Sequence, residues 1–572
     1  MQCRIVPDSE PERTASRRDT QQDRARRAHL LAGSLRFTRH SIYIVRCAFA
    51  GPEGGGSRRR DSGESVRLSA AHIDRMRSHV VMACLLVALL GAARAALADP
   101  WASPGNAGLR NDIELLVDSG VINVPVTTWP IPWGSVAAQL RGVRPDRLSP
   151  MLQASYYRVE QQIRQVQDGG VESGYQATGA PGRPAMNWFG NTTRGKESVG
   201  ASVAGTEGAM AFRLNLQGVW GSRDHQRGRL DGSYLSLALG NWIVSAGALD
   251  QWWGPGWSGS LVLGTNSRPP PALSFTRNVA EPFATPLLHW LGPWTMTIFN
   301  ARLDNAYVPS HAWLLGQRVA FRPAHNLEIG LSRTGIWGGA GQPNSLSEFG
   351  QVFLLHSRAG GALVGDNRAE VDVRWSFALA GRPMDFYTQD LAEQLAHLAG
   401  GLVPIHDFLG LVGVSTWGPV GDAGGSYRTF VEYTDTAVGF LSSAGSQYNF
   451  AYEGGPIYQT GYRYRGYSLG YPTDNDSALW TAGLMLTGVD GGQLTFLLRG
   501  GVLNRDNSNV PPPGGNTYAP MRTQLDEIDA YYRPSFWNGA LQIGLGVTRW
   551  APYALPVETG PHAMVSWQVN FQ

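Results

Sequence analysis

The stretch "ALDQWWGPGWSGSLVLGTNSRPPPALSFTR", residues 248–277, sets Trp252, Trp253 and Trp257 among glycines and prolines. A core uses tryptophan sparingly, because each buried indole N–H needs a partner. Indoles on a stiff loop offer flat apolar faces, and the same segment supplies Asn266 and Arg268. That mix suits a sugar: an indole stacks on the ring's C–H face, while amide and guanidinium groups bond its hydroxyls. Trp337 in "TGIWGGAGQP", with Arg463 and Arg465 in "GYRYRG", extends the set. These eight residues are the candidate carbohydrate-binding groups. The competing reading is architectural. The Trp-Trp-Gly-Pro-Gly turn would then brace a long loop, and Arg268, ahead of three prolines, would pair with a carboxylate.

Other chemistries are poorly represented. The histidines after residue 98 (His225, His289, His311, His325, His356, His397, His406 and His562) are scattered. None stands in a G-x-S-x-G or H-E-x-x-H setting, so no nucleophile with its base is expected and the chain is not read as an enzyme. Cys3, Cys47 and Cys84 all precede residue 99 and no histidines are paired, so no metal site is expected. No P-loop or dinucleotide fingerprint occurs in a strand–helix context, so no cofactor is expected.

Composition narrows the class. Charged residues make up 16% of the 572, against about 25% in ordinary globular chains. Gly (71), Trp (19) and Tyr (20) are abundant. No apolar run outside the N-terminal region approaches the roughly 18 residues of a membrane helix. Residues 1–98 hold 17 Arg, no Lys and 9 acidic residues, a net +8, while residues 99–572 carry −5. A basic arm can bind nucleic acid, but here it leads into "MRSHVVMACLLVALLGAARAALADP", starting at Met76. Arg77, the apolar run Val80–Leu90 and Ala96-Leu97-Ala98 form a secretory signal peptide with cleavage after Ala98. Residues 1–75 are then a non-native or disordered Arg-rich extension, and no nucleic-acid partner is expected.

Periodicity supplies the elements that would position the candidates. In "LRNDIELLVDSG", Leu109, Ile113, Leu116 and Val117 share a helical face that Gly120 stops. A second short helix follows Pro132. Ser149-Pro150 caps a third, with Leu152, Tyr156, Val159, Ile163 and Val166 on one stripe. Residues 170–195 are Gly/Ser/Pro-rich and read as a linker. The period then becomes two. In "RAEVDVRWSFAL", Ala369, Val371, Val373, Trp375, Phe377 and Leu379 face one way, and Arg368, Glu370, Asp372, Arg374 and Ser376 the other. Leu235–Leu239, Gly240-Asn241 and Trp242–Ala246 make a two-residue hairpin. The chain ends on an alternating strand through Phe571. Export, aromatic strand ends and alternation favour a transmembrane barrel over a soluble sandwich or propeller. At roughly 20–22 residues per strand and connection, residues 190–572 hold roughly 16–18 strands.

Several long stretches, in order, carry a family resemblance: "LRNDIELLVDSGVIN", "TWPIPWGSV", "WWGPGWSGSLVLGTNSRPPPALSFTR", "HWLGPWTMTIFNARLDN", "LEIGLSRTGIWGGAGQPNSLSEF", "RTFVEYTDTA" and "YNFAYEGGPIYQTGYRYRGYSLG". The chain resembles the Wzi family of outer-membrane capsule-assembly proteins over nearly all of its length after residue 98. The resemblance implies an all-β transmembrane barrel of about 18 antiparallel strands with a small N-terminal α-helical bundle at the periplasmic end. Residues 99–185 would form the periplasmic bundle and linker, and residues 186–572 the outer-membrane barrel. It further implies a non-catalytic, lectin-like protein that retains capsular or exopolysaccharide at the cell surface. The polysaccharide, outer-membrane lipid and polysaccharide export machinery would be its partners. The alternative is a plugged porin or sugar-selective channel, because the polar face could line water.

Overall fold

The computed structural model describes residues 100–571, apart from 168–169, 183–185, 355, 357–363, 393–407, 441–451, 508–514 and 536–538. The expected extension 1–75 and signal peptide 76–98 lie outside the described residues. Three helices come first: α1 (Ala107–Asp118), α2 (Trp133–Leu140) and α3 (Pro150–Gln167). They start where the sequence signals them. The Asn106 side chain accepts from the Leu109 N–H to cap α1, and Gly120 follows it at φ 71°.

Strands follow: β1 (Gly170–Gly179), β2 (Glu197–Glu207), β3 (Met210–Trp220), β4 (Tyr234–Leu239), β5 (Trp242–Gly247) and β6 (Ala272–Arg277). The pair Gly228–Arg229 prolongs β4 alongside β3. Next are β7 (Trp294–Arg302), β8 (Trp313–Ala324), β9 (Leu327–Trp337), β10 (Asp366–Leu379), β11 (Arg382–Ala392) and β12 (Phe408–Val420). The last six are β13 (Gly425–Asp435), β14 (Ser477–Thr487), β15 (Gln493–Leu503), β16 (Thr523–Arg533), β17 (Gly539–Pro552) and β18 (Glu558–Phe571). Each is antiparallel to its neighbour, and β18 returns to β1 (Val565 beside Gly179, Phe571 beside Ser173), so 18 strands form a closed barrel.

The barrel inverts the usual placement of polar and apolar groups. On β10 the charged face is buried, whereas Val371 and Trp375 are each 46% exposed. Leu216, Trp480, Leu498, Ile528 and Leu545 stand outward in the same way on other strands. An apolar belt around a closed wall matches lipid, and closure leaves no unpaired strand edge in the hydrocarbon. None of the described helices is long and apolar enough to cross a membrane.

Strand β1 lies inside the expected linker, so the barrel starts near Gly170 rather than residue 186. Its large apolar residues are Val171 and Tyr175, set among Gly, Ser, Thr and Ala. That leaves almost no two-residue hydrophobic signal, although pairing with β18 and β2 makes it a strand.

One rim carries short turns, such as Gly240-Asn241 and Ala380-Gly381. The other carries long segments, including 248–271 and 436–476. In outer-membrane barrels the short turns face the periplasm, so these are called the inner and outer rims. Helix α3 sits at the inner rim, where Arg158 donates to the Gly488 carbonyl in the β14–β15 turn (3.2 Å) and to Asp112 of α1 (2.8 Å). Helix α1 does more than lean on the barrel: it enters the lumen. Asp118 accepts from Arg374 of β10 (2.7 and 2.8 Å) and Arg428 of β13 (3.1 Å). Its polar residues Arg110, Asn111 and Glu114 are as buried as its apolar face.

Candidate functional site

The loop joining β5 to β6, residues 248–271, folds down into the lumen and meets the N-terminal segment. Trp252 pairs with Trp129 and Trp253 with Thr128 in a two-residue antiparallel ladder. The Gly254 N–H donates to the Thr127 carbonyl (2.8 Å). Gly254 has φ 122°, and a Cβ there would overlap the Gln389 side chain. Gln389 of β11 donates to the Trp253 carbonyl (2.9 Å). Glu432 of β13 accepts from the Trp257 N–H (2.7 Å), the Ser258 N–H (2.8 Å) and the Tyr387 hydroxyl (2.8 Å).

Arg110 of α1 clamps the same turn. It donates to the carbonyls of Pro255 (2.5 Å) and Gly256 (2.8 Å), with Glu114 as its counter-ion (2.7 Å). Its guanidinium lies 3.9 Å from the Trp257 ring centroid and 4.6 Å from that of Phe189. Trp252, Trp253 and Trp257 are 1%, 0% and 1% exposed. The indole N–H of Trp252 goes to the Gly256 carbonyl (3.1 Å) and that of Trp253 to Gln251 (3.2 Å). The three indoles are therefore the joint between plug, loop and wall, and no face of them is open to a sugar ring. The need for N–H partners that argued against a core is met by backbone and amide oxygens.

A second outer segment seals the joint. Tyr452 donates to the Leu261 carbonyl and Tyr462 to that of Val262, both at 2.7 Å. Asn266 is buried and donates to the Ser468 carbonyl (3.1 Å). Arg463 is buried against Asp474 (2.8 Å). Trp337 lies elsewhere, near the outer end of β9, stacked 6.0 Å from Trp313 and donating to Asn300 (3.2 Å).

Arg268 and Arg465 keep partly open side chains. Arg268 bonds Asp231 (2.8 Å) and Asp224 (3.1 Å), and Arg465 pairs with Asp304. Asp224 is the hub of the first group, since it also takes Arg229 (2.8 Å). Burial pushes its carboxyl upward, yet the Ser222 hydroxyl and the two arginines outweigh that and hold it below the usual range. Asp250, paired with Arg194 (2.5 Å), is pushed up by burial. Sequence reasoning missed Arg223, which is exposed between the rings of Tyr467 (5.3 Å) and Tyr518 (5.1 Å). It also missed the Gln and Ser residues of the lumen wall, although "RLNLQ" and "SWQVN" show them alternating with apolar residues.

Two buried acidic groups merit a chemical test. Glu114, Asp118 and Asp385 converge, as do Glu527, Asp529 and His562. Arginines already occupy both: Arg374 and Arg428 in the first, Arg499 in the second. Thr548, His562 and Asp529 are linked at 3.2 and 2.6 Å, the connectivity of a nucleophile, base and acid. The Thr548 hydroxyl donates to Glu527 (3.0 Å), and the adjoining cavity is about 10 Å³, room for about one water molecule.

A closed strand cylinder with an apolar belt, filled from both rims, defines a plugged transmembrane β-barrel of the outer-membrane type. A family model described as capsule assembly protein Wzi matches residues 167–560. The chain belongs to the Wzi capsule-assembly family. It is 31% identical over 315 residues to an uncharacterized 55.8 kDa protein of the cps region of Klebsiella pneumoniae. That match covers 54% of this chain and spans 61% of the relative's length. A solved structure of Escherichia coli Wzi superposes with a TM-score of 0.70 at 24% identity, covering 84% of this chain and 100% of that one. It is described as an outer-membrane protein involved in group 1 capsule assembly and a carbohydrate-binding β-barrel. The OccK10 protein of Pseudomonas aeruginosa matches at a TM-score of 0.36 and 11% identity, over 71% of this chain and 99% of its own.

Proposed function

We propose that this protein binds capsular or other extracellular polysaccharide without altering it and holds it at the outer face of the outer membrane. The observation that carries the reading is the plug bonded across the lumen. Loop 248–271, coming from the outer rim, is bonded to Thr127–Trp129, coming from the inner one, and both are fixed to the wall. A barrel closed in this way works by presenting fixed surfaces rather than by passing solutes. The outer rim presents Arg223 and Arg465 beside tyrosine rings, with Arg268 ion-paired to Asp231, a mix that bonds hydroxyls and acidic groups of sugars. The family and the description of the Escherichia coli protein support the same reading. Export through the signal peptide at 76–98, residence among outer-membrane lipid and contact with polysaccharide export machinery belong to the proposal.

Deleting the gene should leave polysaccharide synthesis intact while the product is shed into the medium, and the purified protein should retain that polysaccharide on beads. Unchanged surface retention in the deletion strain would overturn the proposal. Large, steady single-channel currents from the full-length protein in planar bilayers would return the channel reading.

A further inference from the structure

The lumen wall has two chemically different halves. From β8 to β13 it is charged and bonded to the plug. Arg318 donates to Thr127 and Thr128 (2.8 Å each), Glu328 accepts from the Val126 and Thr127 N–H groups (2.9 Å each), and Arg374 and Arg428 hold Asp118. Across β17, β18, β1, β2 and β3 the inward residues are uncharged for the most part. Gln542, Ser566 and Gln568 are followed by Gln176 and Thr178, Ser198 and Ser202, then Asn215 and Gln217. The plug stands off from this half, leaving a cavity of about 570 Å³.

We propose that this cavity is a binding site for an uncharged stretch of glycan. The inference rests on the polysaccharide-binding reading and gives it a place and a substrate class. The volume falls within the roughly 300–1,000 Å³ of small-ligand sites. An amide sets an acceptor beside a donor, the complement of a hydroxyl that both gives and takes a hydrogen bond. The side chains of Gln176, Ser198 and Ser202 have no hydrogen-bond partner among the described residues, so these groups are available to a ligand.

Glycines keep the wall low. A Cβ on Gly174 would lie 2.8 Å from the Ser202 hydroxyl, and one on Gly200 2.8 Å from the Gln176 amide nitrogen. At the outer end the charges neutralise one another: Arg194 with Asp250, Arg229 with Asp224, Arg268 with Asp231. The remaining charged side chains, Glu172, Arg213 and Arg533, come from three different strands and are of mixed sign. A chain with regularly spaced carboxylates would find no matching row of cations here. The lining runs from Glu172 and Asn570 at the inner rim to Arg229 and Asp231 beneath the outer loops, long enough for an extended oligosaccharide.

The test uses full-length protein and oligosaccharides cut from the producing strain's own extracellular polysaccharide, native and after chemical reduction of their carboxyl groups. Ser202→Cys places a thiol on the cavity wall, and the parent carried through the same reaction controls for Cys3, Cys47 and Cys84. The unlabelled variant should bind within threefold of the parent, and coupling a polyethylene-glycol maleimide should weaken binding at least tenfold. Gln176→Leu, made separately, should weaken binding at least fivefold without lowering the melting temperature. Carboxyl reduction should change the parent's affinity less than threefold.

Full binding by both the labelled Ser202→Cys protein and Gln176→Leu would place the glycan elsewhere and overturn the cavity site, leaving surface binding standing. Loss of parental binding on carboxyl reduction would overturn the uncharged class. Failure of the parent to bind either preparation would remove the functional reading itself.

Discussion

Replacing Arg374 with Gln should loosen the plug from the wall, and the structure sets the size of the effect. Arg374 bonds Asp118 twice (2.7 and 2.8 Å) and Asp385 once (2.6 Å), with all three side chains buried. Arg428 lies in the same group and Arg110 pairs with Glu114 (2.7 Å), so three guanidinium groups balance three carboxylates, Glu114, Asp118 and Asp385. Without Arg374, two guanidinium groups must answer three carboxylates in a site closed to water. Stripping one partner from a buried ion pair costs about 3–5 kcal/mol. For a chain this long, with an unfolding entropy of about 1 kcal/mol per degree, that corresponds to a fall of about 3–5 °C in apparent melting temperature. Adding Asp118→Asn to that variant is the contrast. The second substitution gives up the charge-assisted hydrogen bond to Arg428, worth about 1.5–3 kcal/mol, but brings the group to two charges of each sign. Arg374→Gln alone should therefore be the more damaging of the two. Thermal unfolding in detergent reads the global effect, and amide hydrogen exchange across 107–118 reads release of α1. Equal losses in the two variants, or undiminished protection of α1 in Arg374→Gln, would refute the reasoning.

Three further expectations concern the loops. Gly254→Ala forces a side chain into a left-handed conformation against Gln389; at about 1–3 kcal/mol of strain, limited proteolysis should cut within 248–271 faster than in the parent, and unchanged cleavage would count against a locked loop. Trp253→Ala should cost about 3–5 kcal/mol of stability, while glycan affinity measured below the variant's melting temperature changes less than threefold; the reverse pattern would make that indole a binding residue. Burial lifts the Asp476 carboxyl to about 7, against the pull of the Asp506 N–H and Arg505. The folded state therefore holds this proton more tightly than the unfolded chain. The associated stability is fully present below about pH 4 and is lost as pH rises through 7, at up to about 1.4 kcal/mol per pH unit. Melting scans from pH 4 to 9 should show the decline, and Asp476→Asn should flatten it; an identical slope in the variant would refute the assignment.

The alternation along "RAEVDVRWSFAL" made β10 legible, and the Gly240-Asn241 turn marked the β4–β5 hairpin at its observed place. The helices were legible because caps and a 3.6-residue stripe coincide, as in Asn106 and Leu109 of α1. Strand β1 was hidden because small residues carry little hydrophobic pattern. The candidate indoles could not be assigned from sequence. A Gly/Pro-rich loop with three tryptophans reads the same whether it stands in water or folds inward, and only contact with Arg110, Gln389 and Glu432 decides the matter.

The sequence by itself determined where the chain is extended, where it is helical, where it turns, and that each strand has one charged and one apolar face. These properties are local, set by backbone sterics and by side chains a few positions apart. Only the tertiary structure decided which face is buried, because that depends on the first and last strands meeting. Closure turns Arg374 and Arg428 inward, where Asp118 of a helix some 256 residues away from Arg374 supplies their counter-charge, and turns Val371 and Trp375 towards lipid. It also left one side of the lumen open, since space is a property of the assembled wall and plug and of neither alone.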